Sequence, residues 1–193
     1  MKLYMIRHGQ SIANATRQHA GWAQVPLTER GVEEARRAGK ILAGIRFDKV
    51  YVSDLVRAKQ TLEAALPGIE GTVTPLLREI SVGDLAGKTA AECLEIYGES
   101  YLTNKAIHDF TPYGGENDTM HLDRIREFAM QAELDCAPCV AAFCHEGSIR
   151  CMLDLVLGYL HNRKEYAMDN GSVSIFELTN GSWSLISWNN TAD

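Results

Sequence analysis

Residues 3–9 read Leu3-Tyr4-Met5-Ile6-Arg7-His8-Gly9. A short apolar run ends on an arginine, a histidine and a residue with no side chain. Continuous runs of this kind belong to strands whose two faces are both covered, the usual condition of a parallel sheet flanked by helices. The end of the run is chemically unlike its body. In open α/β sheets ligands bind in the crevice beyond the carboxyl ends of the strands. Arg7 and His8 therefore mark one wall of a candidate anion site, and Gly9 would let the backbone approach the anion closely.

The rest of the chain repeats this arrangement. Strands are predicted near Lys49–Val52, Thr72–Leu76, Val140–Cys144, Val173–Leu178 and Trp183–Trp188. The last two flank Thr179-Asn180-Gly181-Ser182, an Asn-Gly turn that predicts a C-terminal hairpin. Helical spacing falls between the strands. Thr28 caps a predicted helix carrying Val32, Ala35, Ala38, Gly39 and Leu42 on one face, and Asp54 caps the next, which runs through Ala65. Further helices are predicted over Thr89–Tyr97, Asn117–Leu134 and Gly147–Leu157. Alternating β and α elements predict an α/β sandwich with a mostly parallel sheet, the hairpin adding an antiparallel strand.

Polar groups gather at successive strand tips. Ser53, Asp54 and Arg57 follow the second predicted strand, Glu79 the third, and His145 the fourth. Taken singly, each has an ordinary reading as a surface, capping or hydrogen-bonded residue. Together they describe one site. A neutral imidazole with one nitrogen held by a backbone acceptor leaves the other free to attack phosphorus. Arg7, Arg57 and a protonated His145 suit the equatorial oxygens of a phosphoryl group, because guanidinium offers phosphate two parallel hydrogen bonds. Glu79 has the position of a general acid that protonates the leaving alcohol and later deprotonates water.

Composition bounds the partners. The net charge of −6 argues against a general nucleic-acid binder, which needs a basic surface, yet leaves room for a small basic pocket. No stretch is apolar for long enough to be a membrane span or a signal peptide. An odd cysteine count of 5, without the spacing of a disulfide scaffold, points to a reducing, cytoplasmic setting. Cys136-Ala137-Pro138-Cys139 matches the CxxC spacing, but it precedes a predicted strand, where redox motifs follow one. A metal site from Cys136, Cys139, Cys144 and His145 would be split by that strand.

These segments resemble the histidine phosphatase superfamily, also called the phosphoglycerate-mutase-like family. Its N-terminal signature reads here Arg7-His8-Gly9-Gln10-Ser11-Ile12-Ala13-Asn14. The likeness continues through Gly21–Gly31, Val50–Thr61, Leu77–Gly87, Tyr113–Asp118 and the second-histidine segment at residues 144–150. The resemblance implies a single domain over residues 1–193, a three-layer α/β/α sandwich with a six-stranded mixed sheet. It implies that His8 becomes phosphohistidine, that Arg7, Arg57 and His145 bind the phosphoryl group, and that Glu79 donates the proton. Asn14 is expected to help hold phosphate, and Gly9, Gly21 and Glu146 are further candidates for substrate contact. No metal or organic cofactor is implied, and the expected partner is a small phosphorylated metabolite.

The chain departs from the family pattern in two respects. Glu146 stands where the family usually has glycine directly after the second histidine. Val82 stands where glycolytic mutases usually have tyrosine, and their arginine pair is missing from residues 99–113. The absence of that tyrosine and of the arginine pair, with the short chain, favours a phosphatase over a cofactor-dependent mutase, with a non-catalytic phospho-ligand sensor as a third possibility. Residues of about 80–115, with Tyr97, Tyr101, Lys105, His108, Phe110 and Tyr113, are expected to form a lid-like insertion. Trp22 is expected either to line the pocket or to anchor its own loop.

Overall fold

In the computed structural model, which describes residues 1–158 and 166–192, six strands form one sheet. They are β1 (Lys2–Arg7), β2 (Lys49–Ser53), β3 (Thr72–Thr74), β4 (Cys139–Cys144), β5 (Val173–Thr179) and β6 (Ser182–Asn190), in the order β3-β2-β4-β1-β5-β6. The four on the β3 side are mutually parallel, while β5 runs antiparallel to β1 and β6 antiparallel to β5. The sheet is thus mixed and mostly parallel, as the sequence predicts. Asn180 and Gly181 both take positive φ, 51° and 75°, which is the geometry a two-residue hairpin loop demands.

The helices are α1 (Ile12–Thr16), α2 (Glu29–Leu42), α3 (Val56–Ala65), α4 (Ala90–Tyr97), α5 (Glu99–Ala106), α6 (Asp118–Leu134) and α7 (Glu146–Leu157). Strand side chains alternate between faces, and here both sets are apolar. Leu3, Met5, Tyr51, Val140, Ala142 and Cys144 pack with Phe128 and Ala132 of α6 and Met152 of α7. Ile6, Val50, Val52, Ala141 and Phe143 pack with Ala38 and Leu42 of α2 and Leu62 of α3. Each large apolar side chain buried this way contributes about 1.5–3 kcal/mol. The result is helices, sheet, helices.

Local sequence explains most boundaries. Thr28, Thr89 and Asn117 cap α2, α4 and α6 by accepting from backbone N–H groups, with Glu92 completing a capping box at α4. The predicted strand over Thr72–Leu76 stops at Thr74, because Pro75 opens a 3₁₀ turn through Leu77. Asp54 does not cap α3. Leu55 is the N-cap residue, without a side-chain cap, and Asp54 instead pairs with Arg78 at 2.8 Å. A distant arginine outbids the local backbone there. The short α1 and the separate α5 are additions to the predicted elements.

Residues between β3 and α6 build a third, smaller core from Val82, Leu85, Cys93, Tyr101, Phe110 and Tyr113. The aromatics of this segment therefore largely pack on one another. Cys136 is exposed just before β4 while Cys144 is buried at its far end, and all five cysteines are free thiols. Among the described residues no helix is long and apolar enough to cross a membrane.

Candidate active site

The carboxyl ends of β1, β2 and β4 lie side by side, so the groups that follow them converge. His8 is 5% exposed. Its Nδ1 lies 2.7 Å from the Gly9 carbonyl, which can only accept, so Nδ1 carries the proton. The other nitrogen, Nε2, accepts from Arg57 Nε at 3.3 Å. Burial, reinforced by the Arg57 and Arg7 guanidinium groups, holds the His8 pKa well below the ordinary value of 6.5. The ring is neutral, with its lone pair defined.

Arg57, in the first turn of α3, is 1% exposed and anchored by its remaining nitrogens. Nη1 donates to the Ala23 carbonyl at 3.0 Å and Nη2 to the Gly21 carbonyl at 2.8 Å. Burial lowers its pKa to about 10, which leaves it charged at neutral pH. Arg7 donates through Nη1 to the Met168 carbonyl and pairs through Nη2 with Glu146 Oε2 at 2.8 Å.

His145 is the N-cap residue of α7 and is fully buried, its ring centroid 5.2 Å from that of His8. Its Nε2 lies 2.9 Å from Ser53 Oγ. The expectation of a protonated ring is corrected by the structure. Burial, with Arg57, His8, His121 and Arg124 around it, pushes the pKa well below 6.5, so the imidazole is neutral unless an anion arrives beside it. Nδ1 of His145 and Nε of Arg7 are both buried without a hydrogen-bond partner among the described residues. Orphaned polar atoms of this kind are rare in buried sites and fit a place for oxyanion oxygens.

Glu79 comes from the loop after the 3₁₀ turn. Its Oε1 accepts from Ile80 N at 2.9 Å and its Oε2 from Gly147 N at 3.2 Å, at the start of α7. Arg124 of α6 holds this loop by donating to the carbonyls of Leu76, Arg78 and Glu79 while pairing with Glu116 at 2.8 Å. Glu116 also accepts from Ser81 N at 2.9 Å. The Tyr113–Asp118 segment, through Glu116, thus braces the acid-bearing loop. Trp22 anchors its loop: its indole N–H donates to the Glu79 carbonyl at 2.7 Å, and Arg78 stacks 4.5 Å above its ring.

A cavity of about 300 Å³ opens over these groups. Arg7, His8, Asn14, Gly21, Arg57, Glu79 and Glu146 line it, joined by Lys105, His108 and Phe110 from the insertion and by His19. His145, fully buried beside His8, does not itself line it. Gly9 does not line the cavity either. A Cβ there would lie 2.0 Å from the Gly31 carbonyl oxygen, so its bare backbone is required by the approach of α2, not by an anion. Gly21 serves mainly through its carbonyl, which anchors Arg57. Asn14 accepts from Ser11 N and Oγ, closing the cap of α1. Sequence reasoning passed over Ser53 as the partner of His145, Thr61 as acceptor for Gly9 N at 3.2 Å, and His19, which meets Tyr101 Oη at 2.7 Å.

Known proteins share this arrangement of segments. A curated 2,3-bisphosphoglycerate-dependent phosphoglycerate mutase of Xanthobacter autotrophicus is 35% identical over 142 residues, 69% of either chain. The alpha-ribazole phosphatase of Shigella flexneri superposes with a TM-score of 0.88 at 25% identity, covering 100% of this chain and 98% of that one. A mycobacterial glucosyl-3-phosphoglycerate phosphatase solved with VO3 gives 0.84 at 26%, covering 98% and 99%. The family model of the histidine phosphatase superfamily, branch 1, matches residues 3–191, from the first strand to the last. With an arginine and a buried histidine at the tip of β1 and a second histidine beyond β4, the chain belongs to that superfamily.

Proposed function

We propose that this chain hydrolyses phosphomonoesters through a phosphohistidine at His8, with Glu79 as general acid and base. One observation carries the reading: Nδ1 of a buried, neutral His8 is tied to a carbonyl 2.7 Å away, which leaves Nε2 as the nucleophile. Nε2 attacks phosphorus, the ester P–O bond breaks, and the departing alkoxide takes the Glu79 proton. A water then gives its proton to Glu79 and attacks the same phosphorus. The N–P bond breaks, its electrons return to Nε2, and inorganic phosphate leaves. Arg7, Arg57 and the Nδ1 of His145 offset the charge on the equatorial oxygens. Asn14 lines the same cavity and helps hold the phosphoryl group, and Lys105, His108 and Phe110 form the roof that meets the alcohol. The proposed setting is the cytoplasm, where small phosphorylated metabolites and free thiols coexist.

Hydrolysis of p-nitrophenyl phosphate tests the mechanism. Activity should persist in EDTA and fall at least a thousandfold in His8→Ala; an unimpaired variant would overturn it. Glu79→Gln should lose at least tenfold more on an alkyl phosphate than on the nitrophenyl ester, whose leaving group needs no proton. The mutase reading is supported by the curated relative at 35% identity. Incubation with 3-phosphoglycerate separates the two: free phosphate supports hydrolysis, and the 2-isomer supports transfer between hydroxyls.

A further inference from the structure

Glu146 stands at the junction of two cavities. The one over His8 adjoins another of about 330 Å³, lined also by Asp118, His121 and Arg150, and Glu146 borders both together with Glu79, Ile80 and His108. Its carboxylate is held from two sides. Oε2 lies 2.8 Å from Nη2 of Arg7, and Oε1 accepts from Nε and Nη2 of Arg150 at 3.0 and 2.9 Å. Two guanidinium groups closing on one carboxylate is how arginines bind a substrate anion. Here the chain supplies that anion itself, and with 35% of the side chain exposed the charge faces the shared space.

Arg7 is also the arginine of the β1 tip. A substrate bound there with a second negative group beside its ester would meet the Glu146 carboxylate instead of an open guanidinium. Like charges at such separations repel strongly at the reduced effective dielectric of a partly enclosed site. Lys105 and His19 line the same cavity, so the restriction belongs to the position beside Arg7, where Glu146 is held, and not to the whole cavity. We propose that Glu146 is a specificity-determining residue that selects phosphomonoesters whose alcohol is uncharged or cationic beside the ester. This rests on the phosphatase reading and narrows it to a substrate class.

Glycerol 2-phosphate and 2-phosphoglycerate differ by one carboxylate on the ester-bearing carbon, which makes them the test pair. Phosphate release by the wild type should favour glycerol 2-phosphate at least tenfold in kcat/KM. In both Glu146→Gln and Glu146→Gly that ratio should shrink at least tenfold, whatever happens to the absolute rates. An unchanged ratio, or equal losses on both esters, would overturn the inference. Calorimetric competition of the two esters for wild-type protein reads the same preference without turnover. Weaker binding of 2-phosphoglycerate supports the inference even if no ester is hydrolysed, in which case only the phosphatase reading fails. Equal or tighter binding of 2-phosphoglycerate overturns it.

Discussion

A histidine kept neutral by its surroundings has consequences outside catalysis. His8 and His145 both have pKa values depressed by burial and nearby positive charge. In the unfolded chain each titrates near 6.5. As pH falls below that value the unfolded state takes up protons that the folded state still refuses. Stability is therefore greatest above about 6.5 and declines below it, by up to about 1.4 kcal/mol per pH unit for each ring. Urea unfolding at pH 7.5 and 5.5 should show this decline, and His145→Asn should reduce it; equal slopes would mean that His145 is not held neutral. Two glycines separate packing from function at the same scale. A Cβ on Gly9 would strike the Gly31 backbone at 2.0 Å, so Gly9→Ala should cost about 3 kcal/mol or more in stability. A Cβ on Gly147 would lie 2.1 Å from Glu79 Oε1, the end of a flexible side chain, and 2.8 Å from Cε1 of the buried His121 ring. Gly147→Ala should therefore displace the carboxylate, lowering turnover of alkyl phosphates at least tenfold, at a smaller cost in stability than Gly9→Ala because neither neighbour is backbone.

Helix α6 does its work at a distance from the chemistry. Arg124 satisfies three carbonyls of the loop that carries Glu79 and is paired with Glu116. Removing one partner from a pair this little exposed leaves the other charge and its hydrogen bonds uncompensated and costs about 1–3 kcal/mol. Arg124→Met should show a loss of about that size in denaturant titration, larger than that of the double variant Arg124→Met with Glu116→Gln. Elements also show what a sequence displays and what it hides. The tips of β1, β2 and β4 were legible because polar groups break the pattern where an apolar strand ends: Arg7 and His8 at β1, Ser53 and then Arg57 at β2, His145 after β4. The cap Thr28 was legible because capping is local, and Thr89 and Asn117 stood at the starts of predicted helices that they turn out to cap. Asp54 was misread for the complementary reason: its partner Arg78 lies 24 positions away, and no local rule names it. Ser53 beneath His145, 92 positions apart, and the Gly21 carbonyl on Arg57 were hidden in the same way. Gly9 was assigned to the anion when α2, not yet placed, was what required it.

At the scale of the molecule, an anion that binds between β1, β2, β4 and α7 ties several elements together. Ligand present at 100 times its Kd stabilises the folded state by about 2.7 kcal/mol. For a chain of this size that corresponds to roughly 5–10 °C in Tm. Orthovanadate should produce such a shift in the wild type and a much smaller one in Arg57→Ala, measured relative to each protein's own baseline. The sheet order itself carries a last consequence. β1 lies between β4 and β5, and the amino group of Met1 bonds to the Leu178 carbonyl, 177 positions away. The turn after β1 is likewise held from late in the chain: Gly171 N and Asn170 Nδ2 donate to the His8 carbonyl at 3.2 Å each. A ribosome makes His8 well before these restraints, adding about 5–20 residues per second. Until Asn170 and Gly171 are made the His8 carbonyl lacks both of its donors, so a nascent chain arrested before Asn170 should show no activity however long it waits.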